Sequence, residues 1–345
     1  MRAIVIDGPN EVALREIDTP APGPGEVRVR SVVAGVCRTD LDIATGVLDS
    51  RWVRLPVVPG HEWSGVVDAL GDGVAGLEVG RRVVCEGNIG CMQCRRCRQG
   101  DTHLCERYDA VGFTRGGGWG EYVVVPARIL HELPDHVSFD AASLVEPGSC
   151  VVKALDRARI EPAETVGVVG VGAMGALAIR IARLRSPGLI VAYGVRDEEL
   201  ELARTLGADA VVNVAEQDAE AETRRLAGGL LDVVVETAGA LPAVELSTRL
   251  AREGGRVVLL GIAGHGRELV IPADRIPLRD LTVFGSVGYT TAAWSRMVGL
   301  LREQLVDLDP IVTHHFPLER YEDAFALMDD RQGIVARIVL EHAAV

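Results

Sequence analysis

The sequence predicts an α/β protein in two parts, a mostly β domain followed by a doubly wound domain with a parallel sheet. Up to about residue 130, short β-branched runs alternate with glycine and proline turns, and no helix of any length is expected. From Thr165 onward, apolar strands alternate regularly with helical patterns, the arrangement of parallel sheets covered on both faces. Where that alternation begins, the run 165–169 leads into Gly170-x-Gly172-x-x-Gly175 and then an apolar helix.

The 345 residues suit two domains and a large core. Hydrophobic residues make up 48% and charged residues 25%, ordinary values for a globular chain. A net charge of −13 makes nucleic acid an unfavourable partner, so an anionic ligand needs a local basic site. The start MRAIVIDGPNEV lacks a charged segment followed by a long apolar run, and no uncharged apolar stretch reaches the length of a membrane span. The expectation is a cytoplasmic protein with neither membrane nor nucleic-acid partner. Seven cysteines, four of them crowded together, suit metal binding in a reducing compartment better than a disulfide framework.

Residues 3–6 and 27–33 read as strands joined by the proline-glycine connector 20–25. Gly35-Val-Cys37-Arg38-Thr39-Asp40 and Gly60-His61-Glu62 then bring together thiolate, imidazole and carboxylate, the usual protein ligands of zinc. Singly, Cys37 reads equally as a buried thiol, His61 as a core histidine and Glu62 as a surface carboxylate. The adjacent His-Glu in a glycine-bounded turn favours the joint metal reading. Thr39 is placed to pass a proton between an alkoxide and the cofactor ribose, and Arg38 to bind a pyrophosphate bidentately.

Cys91-x2-Cys94-x2-Cys97-x7-Cys105 fits a closed, four-thiolate structural zinc site, with Arg95, Arg96 and Arg98 offsetting the charge. Cys85 and Cys150 stand at no ligand spacing and read as buried thiols. Phe113 and the glycines 116–118 form either a pocket-shaping loop or a surface hairpin. Glu146 precedes a helix, as a carboxylate able to reach the metal or as a helix-start residue. Lys153, on that helix, is either a cation for an anionic or polyhydroxylated substrate or a solvated side chain.

In the second half, strands are expected at 165–169, 189–193, 210–213, 231–236, 256–261 and 281–285. Helices are expected from about 174 and at 197–206, 242–252, 290–303 and 320–331, with a closing strand at 335–340. Gly170, Gly172, Ala173, Met174 and Gly175 form a dinucleotide fingerprint. The first glycine allows the tight turn, the second the approach of a pyrophosphate, and the third close helix packing. Phosphate then sits over free N–H groups at a helix N-terminus. About 20 residues on, an NAD site places an acidic residue on the ribose hydroxyls. That position is Gly194, with Arg196 nearby to pair with a 2′-phosphate, which favours NADP(H) over NAD(H). Asp197 becomes the ribose ligand if the strand ends later.

Taken in order, these motifs, with Glu146-Pro147, Gly285-Ser-Val-Gly-Tyr289 and residues 313–318, resemble the zinc-containing medium-chain dehydrogenase/reductase superfamily over essentially the whole chain. Glu146-Pro147 resembles its polyol (sorbitol-like) and threonine dehydrogenase branch. The resemblance implies a GroES-like catalytic domain over 1–152, a Rossmann domain over 153–287, a return to the catalytic domain over 288–345, and a homodimer or homotetramer. It implies one catalytic zinc on Cys37, His61 and either Glu62 or Glu146, and one structural zinc. It also implies Thr39 as a proton relay, and Phe113 and Tyr289 as pocket residues. The sequence departs from the pattern at Asp42, where many members carry a relay histidine, at Gly288 in place of an arginine, and at Lys153 in place of a histidine. The expected activity is reversible hydride transfer between NADP(H) and a secondary alcohol or ketone, on a polyol, sugar or cyclitol. The alternatives are an NAD-dependent threonine or amino-alcohol dehydrogenase and a non-catalytic dinucleotide sensor with structural zinc alone.

Overall fold

A computed structural model describes residues 1–264, 266–330 and 333–343; the last residue of the helix expected at 320–331 lies outside the described residues. The chain divides into two units. One holds residues 1–146, 289–332 and 337–345, the other residues 147–288 and 333–336.

The first unit is built on a seven-stranded sheet. Its strands run Val312–Pro317, Arg337–Glu341, Glu26–Val36, Trp63–Leu70, Arg82–Cys85 and Leu130–Glu132 in spatial order, with Tyr122–Pro126 also paired to Glu26–Val36. The long strand Glu26–Val36 buries alternate residues and then four in succession, as expected of a strand half-covered at its start and fully covered where it ends. It delivers the chain to the half-buried Cys37. A short helix Arg38–Ala44 follows at once, which the sequence reading did not anticipate. Its start is fixed locally, because the Asp40 carboxylate accepts a hydrogen bond from the Cys37 backbone N–H at 2.9 Å. The closing strand Arg337–Glu341 pairs antiparallel with Glu26–Val36, setting Ile338 opposite Val36.

The second unit is a six-stranded parallel sheet in the spatial order Ala210–Asn213, Leu189–Gly194, Thr165–Val169, Leu231–Glu236, Ala251–Leu259, Thr282–Gly285. Numbered along the chain this is 3-2-1-4-5-6, the doubly wound order. The strand order reverses between Thr165–Val169 and Leu231–Glu236, where such sheets open a ligand crevice at their carboxyl ends. Val191, Tyr193, Val212, Leu231, Val234 and Val257 pack one buried core, as near-continuous apolar strands covered on both faces should. The α/β architecture, a GroES-like β unit plus a Rossmann unit, is the one expected.

Candidate functional site

In the first unit, ligand atoms of Cys37, His61 and Glu62 all lie within 4.8 Å of one another. Two turns bring them together, and Asp40 ties the turns to each other. Its Oδ2 holds Cys37, while its Oδ1 accepts from the Gly60 N–H at 3.3 Å and stands 3.4 Å from His61 Nδ1. Asp40 is fully buried, and the reading from sequence missed it. The motif glycines are needed for space. A Cβ on Gly60, whose φ is +93°, would meet the Trp119 ring at 2.4 Å, and one on Gly35 would meet the Glu62 carboxylate at 2.8 Å.

Arg337 completes the cluster from the far end of the chain. Its Nη1 donates to the Val36 carbonyl at 3.0 Å and stands 2.8 Å from Glu62 Oε2, with both side chains buried. Nothing in the spacing of the sequence links position 337 to position 62. Burial opposes the charge on this guanidinium, but Glu62, Cys37 and Glu146 outweigh it and raise its pKa. Burial likewise opposes a charged His61, yet Asp40 and Cys37 hold its pKa well above the ordinary value. Glu146 lies outside the tight trio but within its field. Burial pushes its carboxyl up to about 7; His61 and Arg337 oppose the shift, and Glu62 and Asp40 add to it.

The donor set fits a zinc ion. Thiolate, imidazole and carboxylate converge, with His61 Nδ1 facing Asp40 and His61 Nε2 3.9 Å from Glu62 Oε1, and the Thr39 hydroxyl lies 3.6 Å from Cys37 Sγ. The Phe113 ring packs 4.9 Å from His61, and Trp52 meets Tyr108 edge-on at 4.9 Å.

The four cysteines also converge, with sulfur atoms all within 4.8 Å of one another. Backbone N–H groups point at them: Cys91 N at Cys105 Sγ (3.3 Å), Cys94 N at Cys91 Sγ (3.3 Å) and Cys97 N at Cys94 Sγ (3.4 Å). Donors of this kind favour thiolates, and those from Gln93 and Cys94 bring Cys91 down to about 6. All seven cysteines are free of disulfides, so the cluster suits a metal held by four sulfurs.

In the second unit the fingerprint sits between strand Thr165–Val169 and helix Ala173–Ala182, with Gly172 at the N-cap, where no side chain caps the helix. A Cβ on Gly170, at φ +94°, would strike Ala238 at 2.7 Å, and one on Gly175 would lie 1.9 Å from the Gly170 carbonyl oxygen. The turn is held from below by two residues not anticipated. The Thr237 hydroxyl donates to Gly170 O (2.7 Å), and the buried Glu236 carboxylate accepts from the N–H groups of Ala238 (2.8 Å) and Gly239 (2.7 Å). The next strand ends at Gly194, and Arg196 is the N-cap of the following helix. Arg196 Nη2 donates to Gly333 O at 2.7 Å, while Asp197 Oδ1 accepts from Asn213 Nδ2 at 2.8 Å.

Four further candidates have definite places. Arg38 pairs with Asp329 at 2.9 Å and Asp42 at 3.4 Å. Lys153 is not solvated: it is buried, and its Nζ donates to Val287 O at 2.6 Å, with Gly288 O at 3.5 Å. The Tyr289 ring is fully buried, and its hydroxyl accepts from Gly87 N (2.6 Å) and Asn88 N (3.2 Å), which fixes the chain just before the four-cysteine lobe.

Residues 23–135 match the alcohol dehydrogenase GroES-like domain, and residues 173–303 match the zinc-binding dehydrogenase domain. An erythritol/L-threitol dehydrogenase of Mycolicibacterium smegmatis is 34% identical, over 95% of this chain and 94% of its own. The chain belongs to the zinc-containing medium-chain dehydrogenase/reductase family. Within it, an L-threonine 3-dehydrogenase of Deinococcus radiodurans is 35% identical over 97% of each chain. The solved structure of an alcohol dehydrogenase from Thermus sp. ATN1 superposes with a TM-score of 0.90 at 28% identity, over 99% of this chain and 100% of that one. Among the described residues, no helix is long and apolar enough to cross a membrane.

Proposed function

We propose that this member of the family is a zinc-dependent dehydrogenase that interconverts a secondary alcohol of a polyol, sugar or cyclitol with its ketone, using NADP(H) in preference to NAD(H). The observation that carries the reading is the convergence of Cys37, His61 and Glu62 within 4.8 Å, beside a buried arginine and a second glutamate. Cys37, His61 and Glu62 would hold the catalytic metal, with Glu146 close enough to feel their charge. Cys91, Cys94, Cys97 and Cys105 hold a structural zinc. A bound zinc supplies Lewis-acid polarisation of the substrate oxygen, and the nicotinamide exchanges the hydride. The chain's own residues supply order and proton movement. Asp40 fixes the orientation of His61, Arg337 balances the carboxylates, and Thr39 Oγ1 would relay the substrate hydroxyl's proton, passing its own on to the cofactor ribose.

Cofactor preference rests on the second unit. Gly194 ends its strand without a carboxylate, Arg196 follows it, and Asp197 is engaged with Asn213. The polyol reading draws on the erythritol/L-threitol relative. The L-threonine 3-dehydrogenase relative favours a second reading, an NAD-linked amino-alcohol dehydrogenase. Turnover of tetritols, pentitols, cyclitols and L-threonine with NADP+ and with NAD+ separates the two. Faster turnover of a polyol with NADP+ is expected; L-threonine oxidation with NAD+ alone overturns the proposal.

A further inference from the structure

We propose that Val171, between the first two fingerprint glycines, is a specificity-determining residue that keeps an acidic ribose-binding side chain out of position 194. The inference rests on the cofactor reading above and names the residue that enforces it. Gly194 has no positive φ, so its backbone would accept any L-residue. Space, not conformation, makes glycine necessary. A Cβ at 194 would stand 2.7 Å from Val171 Cγ2, a separation real side chains do not show, and 3.1 Å from Leu200 Cδ2. Both neighbours are buried.

They differ in how they can yield. The Leu200 contact is the far end of a flexible side chain on helix Asp197–Thr205, which can give a few tenths of an ångström. Val171 is β-branched and stiff at χ1, and its backbone is pinned on both sides. Gly170 before it sits at φ +94° against Ala238, and Gly172 after it caps the fingerprint helix. Val171 therefore cannot retreat without undoing the phosphate turn. With hydrogen alone at 194, the end of strand Leu189–Gly194 carries no carboxylate, and Arg196 begins the next helix two residues later. Asp197 Oδ1 accepts from Asn213 Nδ2 at 2.8 Å, while Arg196 Nη2 donates to Gly333 O at 2.7 Å.

The test is fluorescence titration of NADPH and NADH, with thermal melts, on wild type, Gly194→Asp, Val171→Ala and the double variant. Gly194→Asp is expected to lose NADPH affinity by about tenfold or more, because it sets a carboxylate against the 2′-phosphate, without gaining NADH affinity. It should also melt roughly 2–12 °C lower, as an overpacked core does. The double variant recovers the melt and binds NADH about tenfold or more tighter than Gly194→Asp does. If Gly194→Asp alone gains full NADH affinity with an unchanged melt, or the double variant binds NADH no better, Val171 is not the discriminator. Gly194→Ala, which adds only the Cβ, covers the case in which the aspartate variants fail to fold. Its lowered melt should be rescued by Val171→Ala, and no rescue also overturns the proposal. A wild type that binds NADH more tightly than NADPH refutes the cofactor reading separately, while the comparison of single and double variants still judges Val171.

Discussion

Replacing Arg337 by methionine keeps most of the aliphatic stem but removes a guanidinium that lies 2.8 Å from Glu62 and 3.0 Å from the Val36 carbonyl. Arg337 is 5% exposed and Glu62 2%, so water cannot take over the lost interaction. Breaking a buried ion pair on one side costs about 3–5 kcal/mol, mostly because the remaining charge stays buried and unpaired. The surroundings make this worse, since Cys37 and Glu146 also contribute to the field at Arg337 and neither is cationic. In the metal-free protein, Arg337→Met should therefore lower the melting transition of its unit by roughly 6–20 °C. Zinc brings positive charge to the same carboxylate and thiolate, so saturating zinc should recover much of that loss. Differential scanning calorimetry on both forms, with Arg337→Lys as the charge-retaining control, reads the difference. A shift below about 1 kcal/mol, or one of equal size with and without zinc, would refute the reasoning.

Three more predictions follow from single contacts. His342 is buried, and despite its contact with Gly118 O at 2.8 Å burial lowers its pKa, so the folded state prefers the neutral ring. Its contribution is complete above the unfolded value of about 6.5 and is lost as pH falls below it; melts between pH 7.5 and 5 should drop less steeply for His342→Gln, and equal slopes would contradict this. Tyr289→Phe leaves the N–H groups of Gly87 and Asn88 without their acceptor and should cost about 1–3 kcal/mol in stability at little change in substrate KM; a large KM change with unchanged stability would assign the hydroxyl to substrate instead. Gly175→Ala forces a Cβ to 1.9 Å from Gly170 O, so dinucleotide binding should fall by about 100-fold or more while zinc content is unchanged; binding at wild-type strength would show that the turn adapts.

The second unit was the more legible in the sequence. Strand 231–236 and helix 197–206 were found within a residue because each is a clean apolar run or period bounded by turn residues. The strand expected at 256–261 begins earlier, at Ala251, since its exposed start Arg252–Gly254 carries no apolar signal. The helix Arg38–Ala44 was missed because it is seven residues long and defined by the Asp40–Cys37 cap rather than by periodicity. The same Asp40 could have been suspected from its place three residues after Cys37, a capping-box spacing. Arg337 could not, because only the antiparallel pairing of Ile338 with Val36 brings it beside Glu62. Whether Lys153 is buried depends on the segment 287–288 folding back onto its helix, which no local pattern announces.

Zinc content per chain, measured by mass spectrometry of metals on wild type and Cys37→Ser, tests the central claim most directly. Two zinc ions in wild type and one in Cys37→Ser, with turnover lost and NADPH still bound, is the result expected of a catalytic metal on Cys37, His61 and Glu62 beside a separate four-cysteine site. One zinc in both proteins, or unchanged turnover in Cys37→Ser, would contradict it.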